Sequence, residues 1–290
     1  MMGRVEVSMN KKMIKLYSIL IMSIIALSFL MPNIFSMSHG FTKMLAIKAK
    51  IIFSNEISEK IIVDAQKSNI IIMFDDGWES QYNVAFKYMS EKNMRGSISV
   101  ITSYVGKHKY MSKSELFEVY ANGWDILNHT VTHKHLSKLS KNNQIKEIVK
   151  ADEWLNDNGL ISDYKVLIYP YGDYSEETTD IVKKHGFLSA RNTKSLYNEK
   201  FPKSFFEINA FTVFTDTDKK EIVEWIDFSR ENDKTLILLF HEVCDVTNDL
   251  GMQYDKRKFK DIIDYIEALD DVNVLTYTDW INASIQVNEK

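Results

Sequence analysis

Two hydrophobic rhythms alternate along this chain. Ile70 to Phe74 is an unbroken apolar run, rich in β-branched residues, of the kind a strand buried on both faces requires, and Asp75-Asp76-Gly77 ends it. Tyr82, Ala85, Phe86 and Met89 then fall at helical spacing, and Ser97 to Ile101 returns as a strand. The pattern predicts a short helix from Glu115 to Ala121 closed by Gly123, and a strand from Trp124 to Leu127. A helical stripe of Ile145, Ile148, Val149 and Leu155 follows, stopped near Gly159, and Val166 to Tyr169 reads as the next strand. Ser175 can cap a helix that ends by Gly186. Asp218 to Glu231, Thr235 to Phe240, Phe259 to Leu269 and Val272 to Tyr277 repeat the alternation. Strands alternating with helices imply a parallel sheet in an α/β fold. An incomplete or distorted (β/α) barrel accommodates these units and gathers the loops after its strands at one rim.

Composition permits one sizeable core: 290 residues, 45% hydrophobic and 12% aromatic, with only 3 Pro and 10 Gly to supply linkers. The net charge of -4 argues against a nucleic-acid surface, which relies on clustered Lys and Arg. Cys244 is the only cysteine, so no internal disulfide is available. It reads as a buried small apolar residue, because nothing near it completes the base and orienter that a thiol nucleophile needs.

At the N-terminus, Lys11, Lys12 and Lys15 precede an apolar run from Leu16 to Met31. This is the pattern of a signal peptide or signal anchor over residues 1–36. The run is long for a cleaved core, short for a full span, and has no Ala-x-Ala behind it, which favours an uncleaved membrane anchor over a cleaved signal. Either way the protein is expected to be exported. A lead-in follows over 37–68, then a catalytic domain over 69–282 and a tail over 283–290. The oligomeric state is left open.

The chemistry sits in two places. Asp75 and Asp76 stand at a strand's C-terminal end, and consecutive strand residues point opposite ways, so one carboxylate can bind metal while its neighbour stays free as a base. His129 and His133, at i and i+4, can meet one ion from a helical turn or a tight loop. Imidazole plus carboxylate suits Zn2+, with Co2+ or Ni2+ as substitutes, and three protein ligands leave positions open for water and substrate. Each motif alone has a plainer reading, Asp-Gly as a turn and His-x-x-x-His as chance. It is their order, each after an apolar run, that points to a catalytic metal.

Four segments in register carry a wider likeness: Met73-Phe74-Asp75-Asp76-Gly77, His129-Thr130-Val131-Thr132-His133, Tyr169-Pro170-Tyr171-Gly172 and Leu238-Leu239-Phe240-His241. Through them the chain, from about Asn69 to about Ile281, resembles the polysaccharide deacetylases, carbohydrate esterase family four. The resemblance implies Asp75 as catalytic base, Asp76, His129 and His133 as metal ligands, and His241 as the acid that protonates the leaving amine. It also implies that Tyr171 offers its backbone N–H to the oxyanion, beside Pro170 in the substrate groove. Trp78 and Tyr174 lie next to the motifs, where they either stack on sugar rings or pack the rim.

Two departures stand out. Ile168 occupies the position where many members carry an arginine that orients the base, and the Asp-x-x-Asp-Trp segment that supports the acid histidine is missing, Trp225 reading instead as a helix core residue. Tyr169-Pro170-Tyr171-Gly172-Asp173, and more faintly Phe206-Glu207-Ile208-Asn209, look like the branch acting on poly-N-acetylglucosamine. The expected function is metal-dependent removal of N-acetyl groups from an extracellular polysaccharide: poly-N-acetylglucosamine, peptidoglycan or a chitin-like chain. A non-catalytic glycan-binding module and a small-molecule amidase are the alternatives.

Overall fold

The apolar run becomes strand β1 (Ser68–Phe74), buried at every position and flanked on both edges. Along one edge it pairs in parallel with β8 (Lys234–Phe240). The other edge is shared by β11 (Val272–Leu275) at its start and β2 (Ser97–Val100) at its end. Strands β3 (Asp125–Asn128), β4 (Val166–Ile168) and β5 (Ser189–Arg191) extend the sheet beyond β2. On the far side, β8 also receives β6 (Asn198–Glu199) and β7 (Phe211–Thr212). Every pairing in this nine-stranded sheet is parallel except β6 with β8. This computed structural model describes residues 63–160, 162–246 and 251–289. The signal or anchor over 1–36 and the lead-in as far as residue 62 lie outside the described residues.

The sheet curls until its two ends nearly meet. Ala190 N donates to Phe205 O at 2.7 Å, Asn192 N to Ile208 O at 2.7 Å and Ile208 N to Ala190 O at 3.2 Å, so β5 is laced to the segment that leads into β7. Arg191 and Ile208 form a single parallel bridge there. The result is the incomplete (β/α) barrel that the alternation predicts, closed by a seam rather than by a full strand pair.

Helices fill the crossovers. They are α1, a π-helical turn (Gln81–Phe86) running into Lys87–Glu91, then α2 (Lys113–Ala121), α3 (Lys141–Asp157), α4 (Glu176–Lys184), α5 (Lys219–Glu231), α6 (Lys256–Glu267) and α7 (Tyr277–Asn288). Ser175 caps α4 as the sequence implies, its hydroxyl accepting from Thr178 N. The two-residue period sorts β1 and its neighbours onto two faces. Ile71, Met73, Leu127, Ile168, Ile237 and Leu239 form one buried cluster with Tyr277 and Trp280 of α7. Leu167 and Tyr169 point the other way, onto Ile148 of α3 and Ile181 and Val182 of α4.

Four expectations change. The strand expected to reach Tyr277 stops at Leu275, because the Thr276 hydroxyl accepts from Asp279 N and starts α7. Residues 283–288 are therefore the last turns of a packed helix and not a tail, with Ala283 and Ser284 buried. Trp225 lies on α5 as expected but is only half-buried, its ring 4.8 Å from that of Phe211. Cys244, at the end of a short strand β9 (Glu242–Cys244) that pairs with β10 (Gln253–Asp255), is half-buried rather than buried. Burial pushes its thiol up to about 11, which keeps it protonated.

Asp125 opens β3 inside the core, where its carboxylate accepts from Ser97 Oγ (2.9 Å) and Thr278 N (2.9 Å). Burial, with Asp279 nearby, raises its pKa from 3.8 to about 6 despite those donors. A carboxyl whose folded pKa is raised favours the folded state below the unfolded value, and that advantage is lost as pH rises through the folded value. Between about pH 4 and pH 6, ionisation of Asp125 should therefore cost about 3 kcal/mol of folding stability. Urea unfolding across that window should show a decline that Asp125→Asn removes.

Candidate functional site

Asp75, His129, Tyr169, Arg191 and His241 are each the residue at or just past the C-terminal end of a strand, β1, β3, β4, β5 and β8 in turn. Parallel pairing sets those ends side by side. Asp75 N still donates to Phe240 O (3.0 Å), the last rung between β1 and β8. Then the backbone turns sharply: Asp76 has φ 77 and Gly77 φ 81. Strand alternation thus stops at Asp75, and the two carboxylates do not diverge as consecutive strand residues would. Asp75 Oδ2 lies 3.9 Å and Asp76 Oδ1 3.5 Å from the same atom, His129 Nε2.

The histidines reach that point from a tight loop, not a helical turn. Thr130 (φ 65) and His133 (φ 58) are left-handed, a strained conformation for side chains that are neither Gly nor Asn. Side-chain acceptors hold the loop. Asn128 Oδ1 takes Thr130 N (2.8 Å), Thr130 Oγ1 takes His133 N (3.1 Å), and Glu147 Oε2 from α3 takes Val131 N (3.1 Å) and Thr132 N (2.7 Å). His129 Nδ1 lies 2.8 Å from Ile168 O, an atom that only accepts, so Nδ1 carries the proton and Nε2 is left with a lone pair.

Three donor atoms consequently face one another. His129 Nε2 and His133 Nε2 are 3.1 Å apart, and each is 3.5 Å from Asp76 Oδ1. Ligands at zinc bond lengths on a tetrahedron stand roughly 3.3 Å apart, so this triangle fits one face of such a cation. Asp76 Oδ1 is buried and makes no hydrogen bond among the described residues, as a metal-ligating oxygen would. Its other oxygen accepts from Trp78 Nε1 at 3.1 Å. The site's field favours positive charge. Burial opposes ionisation of Asp76, but His129, His241 and His133 hold it well below the usual carboxylate range. Burial likewise disfavours a charged His129, yet Asp75 and Asp76 raise its pKa, and His133 is pulled down to about 4 by burial and by the charge on His129.

Asp75 is 2% exposed, and burial alone would push its pKa up. Arg191, then His129 and His241, reverse that and lower it. Arg191 Nη2 donates to both carboxylate oxygens, 2.7 Å from Oδ1, while Ser99 Oγ adds a bond of 2.7 Å to Oδ1. The guanidinium is fully buried.

Residues 63–190 match the family model described as Polysaccharide deacetylase. Over that stretch the chain is similar to the polysaccharide deacetylases. A poly-β-1,6-N-acetyl-D-glucosamine N-deacetylase of Staphylococcus aureus is 31% identical over 137 residues, 41% of this chain and 46% of that one. The match thus spans less than half the length of this curated relative. Among solved structures, the Bc1960 peptidoglycan N-acetylglucosamine deacetylase is 16% identical, with a TM-score of 0.53 over 76% of this chain and 90% of its own. A family 4 carbohydrate esterase from Streptomyces lividans is 15% identical, with a TM-score of 0.50 over 71% of this chain and 91% of its own. At that identity the two structures speak for the deacetylase fold.

Asp75, Asp76, His129 and His133 converge, and both aspartates act electrostatically on His241 beside them. Burial and Arg191 hold the His241 pKa below its ordinary value, and Nδ1 has no hydrogen-bond partner among the described residues, in line with the missing supporting segment. Pro170 and Tyr171 form a tight turn over the histidines, with Tyr171 at φ 59. The Tyr171 ring stands 57% exposed, flat on His135 at 4.0 Å and tilted against His133 at 4.4 Å. Gly172, at φ 66, is needed there because a Cβ would meet Thr193 Oγ1 at 2.3 Å. Trp78 lies flat on Tyr110 at 4.6 Å, so part of its ring is already covered, and Tyr174 packs on Tyr169.

Arg191 is the residue the motifs missed. It supplies from β5 the cation that Ile168 cannot supply from β4, while the carbonyl of Ile168 holds His129. Arg191→Met leaves a buried carboxylate without its cation. We expect about 3–5 kcal/mol lower stability in chemical denaturation. The Asp75 carboxyl should also titrate above 3.8 by NMR instead of below it.

Proposed function

We propose that this protein is a metal-dependent hydrolase that removes N-acetyl groups from an extracellular polysaccharide containing N-acetylglucosamine. The observation that carries the reading is the triangle of Asp76 Oδ1, His129 Nε2 and His133 Nε2 beside a carboxylate, Asp75, that Arg191 keeps ionised. We assign the first three residues as ligands of Zn2+, or of Co2+ or Ni2+ in its place. A cation bound there supplies Lewis-acid chemistry, acidifying water and polarising the acetamido carbonyl.

The remaining work falls to the chain itself. Asp75 accepts the proton of the attacking water at Oδ2, which takes a bond from Arg191 alone, whereas Oδ1 takes bonds from both Ser99 and Arg191. Arg191 fixes that carboxylate in place and withholds protonation until the reaction requires it. Tyr171 offers its backbone N–H to the oxyanion that develops on the carbonyl. His241 delivers a proton to the departing amine, a poor leaving group without one. Trp78 orients Asp76, while Pro170 and Tyr171 line the groove for the sugar. Poly-N-acetylglucosamine is the favoured polymer, on the Tyr169-Pro170-Tyr171-Gly172 sequence and the staphylococcal relative, with peptidoglycan and chitin-like chains as the competitors. In this reading the basic and apolar N-terminus exports the chain and either anchors it at the membrane or is removed on secretion.

The alternative of a non-catalytic glycan-binding module rests on two gaps, the absent arginine and the absent support for His241. Arg191 fills the first of them.

Acetate release from poly-β-1,6-N-acetylglucosamine, peptidoglycan and chitin oligomers tests the activity. We expect release that a chelator abolishes and zinc restores. No release from any polymer by the zinc-loaded protein would contradict it. Calorimetric titration should find one Zn2+ per chain, lost in Asp76→Ala and in His129→Ala. Asp75→Asn should keep the ion while kcat falls by about 10²- to 10⁴-fold.

A further inference from the structure

A buried amide joins the two strand ends that carry the base and the acid. Gln81 opens helix α1 and is 0% exposed. Its Nε2 donates to two backbone carbonyls, those of Asp75 and His241, the latter at 2.9 Å. Both acceptors are carbonyl oxygens, so only the NH2 end of the amide can face them, and its two hydrogens match the two acceptors. The side chain thus extends the β1–β8 ladder one step past its last backbone rung, Asp75 N to Phe240 O. Beyond that rung the chains part: Asp76 turns left-handed on one side, and His241 breaks strand pairing on the other.

The helix that presents Gln81 is itself irregular. Its first six residues, Gln81–Phe86, are π-helical, an arrangement that costs packing and recurs at functional sites. It starts only six residues after Asp75, which keeps Gln81 directly beneath the turn that carries both aspartates. A second tie lies alongside, where Ser80 Oγ accepts from Val243 N at 3.2 Å. Gln81 hydrogen-bonds the backbone carbonyls of both functional residues.

We propose that Gln81 is a positioning residue for the hydrolysis, fixing the separation of Asp75 and His241 by holding their carbonyls on a single nitrogen. The inference rests on the deacetylase reading above for its kinetic readout, and on geometry alone for the clamp. Gln81 is 0% exposed and acts through the two backbones it bonds. Removing its donors should relax the spacing of the two proton-transfer groups and leave the ligand triangle, whose other members come from the His129 loop, intact.

The experiment compares zinc-loaded wild type with Gln81→Met, which keeps the volume but has no donor, and Gln81→Glu, which sets a carboxylate against the two carbonyls. Phe86→Leu, in the same helix and buried between Tyr82 and Trp124, serves as the stability-matched control. We expect kcat for acetate release to fall roughly 10- to 100-fold in Gln81→Met and further in Gln81→Glu, with KM and zinc stoichiometry unchanged. Phe86→Leu should keep kcat within twofold at an equal loss in melting temperature. A Gln81→Met enzyme within twofold of wild type, or a Phe86→Leu enzyme equally impaired, overturns the proposal. Should neither Gln81 variant fold, the wild-type protein still decides the matter. Both Nε2 protons of Gln81 should be protected from solvent exchange in its ¹⁵N spectrum, and rapid exchange of either contradicts the clamp. A wild type that binds zinc, protects the amide and releases no acetate would sink the deacetylase reading and leave the clamp standing.

Discussion

An ionised carboxylate in a nearly dry rim survives only with a cation against it, and here one guanidinium fills that role. Arg191 and Asp75 are both buried, the pair sits at the seam where the curled sheet closes, and its members come from the ends of two strands that are not neighbours, β5 and β1. Without Arg191, burial would push Asp75 toward its neutral form, and a neutral acid cannot take a proton from water. The pair therefore links barrel closure to chemistry: the β5 seam that completes the fold also sets the charge of the proposed base. Such pairs bring little net stability, because desolvation of both ions offsets their attraction. Their value here lies in fixing a charge state and an orientation.

The rest of the site follows from parallel topology and a few strained residues. Parallel strands bring five functional ends to one edge, but ends alone do not aim side chains. Asp76, Thr130, His133 and Tyr171 all adopt left-handed backbone at this edge, and they are four of the seven non-glycine residues that do so among the described residues. Strain of this kind costs on the order of 1–3 kcal/mol per residue and persists where surrounding bonds over-determine it. Asn128, Glu147 and the hydroxyl of Thr130 supply those bonds for the histidine loop. What the strain achieves is visible in the ligand triangle, where two rings and a carboxylate point at one spot.

Much of this was legible in the sequence, and the exceptions have physical causes. Long apolar runs such as Ile70 to Phe74 and Leu236 to Phe240 announced their strands, and the motifs hung from their ends. The Ser189-Ala190-Arg191 strand has three residues and no hydrophobic signature, so nothing local marked Arg191 as more than a surface charge. Its meaning lies in a contact 116 positions away in sequence. Gln81 was equally silent, being a polar residue just ahead of the helical stripe that begins at Tyr82. The opposite directions expected for Asp75 and Asp76 failed because the turn begins one residue earlier than alternation assumes. At the C-terminus, Thr276 followed three residues later by Asp279 was a capping signal hidden behind the apolar run that precedes it.

One consequence reaches past the motifs. The position that usually carries the arginine is not idle, since the carbonyl of Ile168 sets the tautomer of His129 and so presents its lone pair to the site. Two neighbouring strands share the labour, β4 orienting a proposed ligand through its backbone and β5 charging the proposed base through its side chain. The central claim is that a single divalent cation sits where the three donors meet, with Asp75 beside it and not bound to it. An anomalous difference map at the zinc edge, from crystals grown with zinc, tests this most directly. The account predicts one strong peak within bonding distance of Asp76 Oδ1, His129 Nε2 and His133 Nε2. A map without that peak, or with the ion held by Asp75 in place of Asp76, would contradict it.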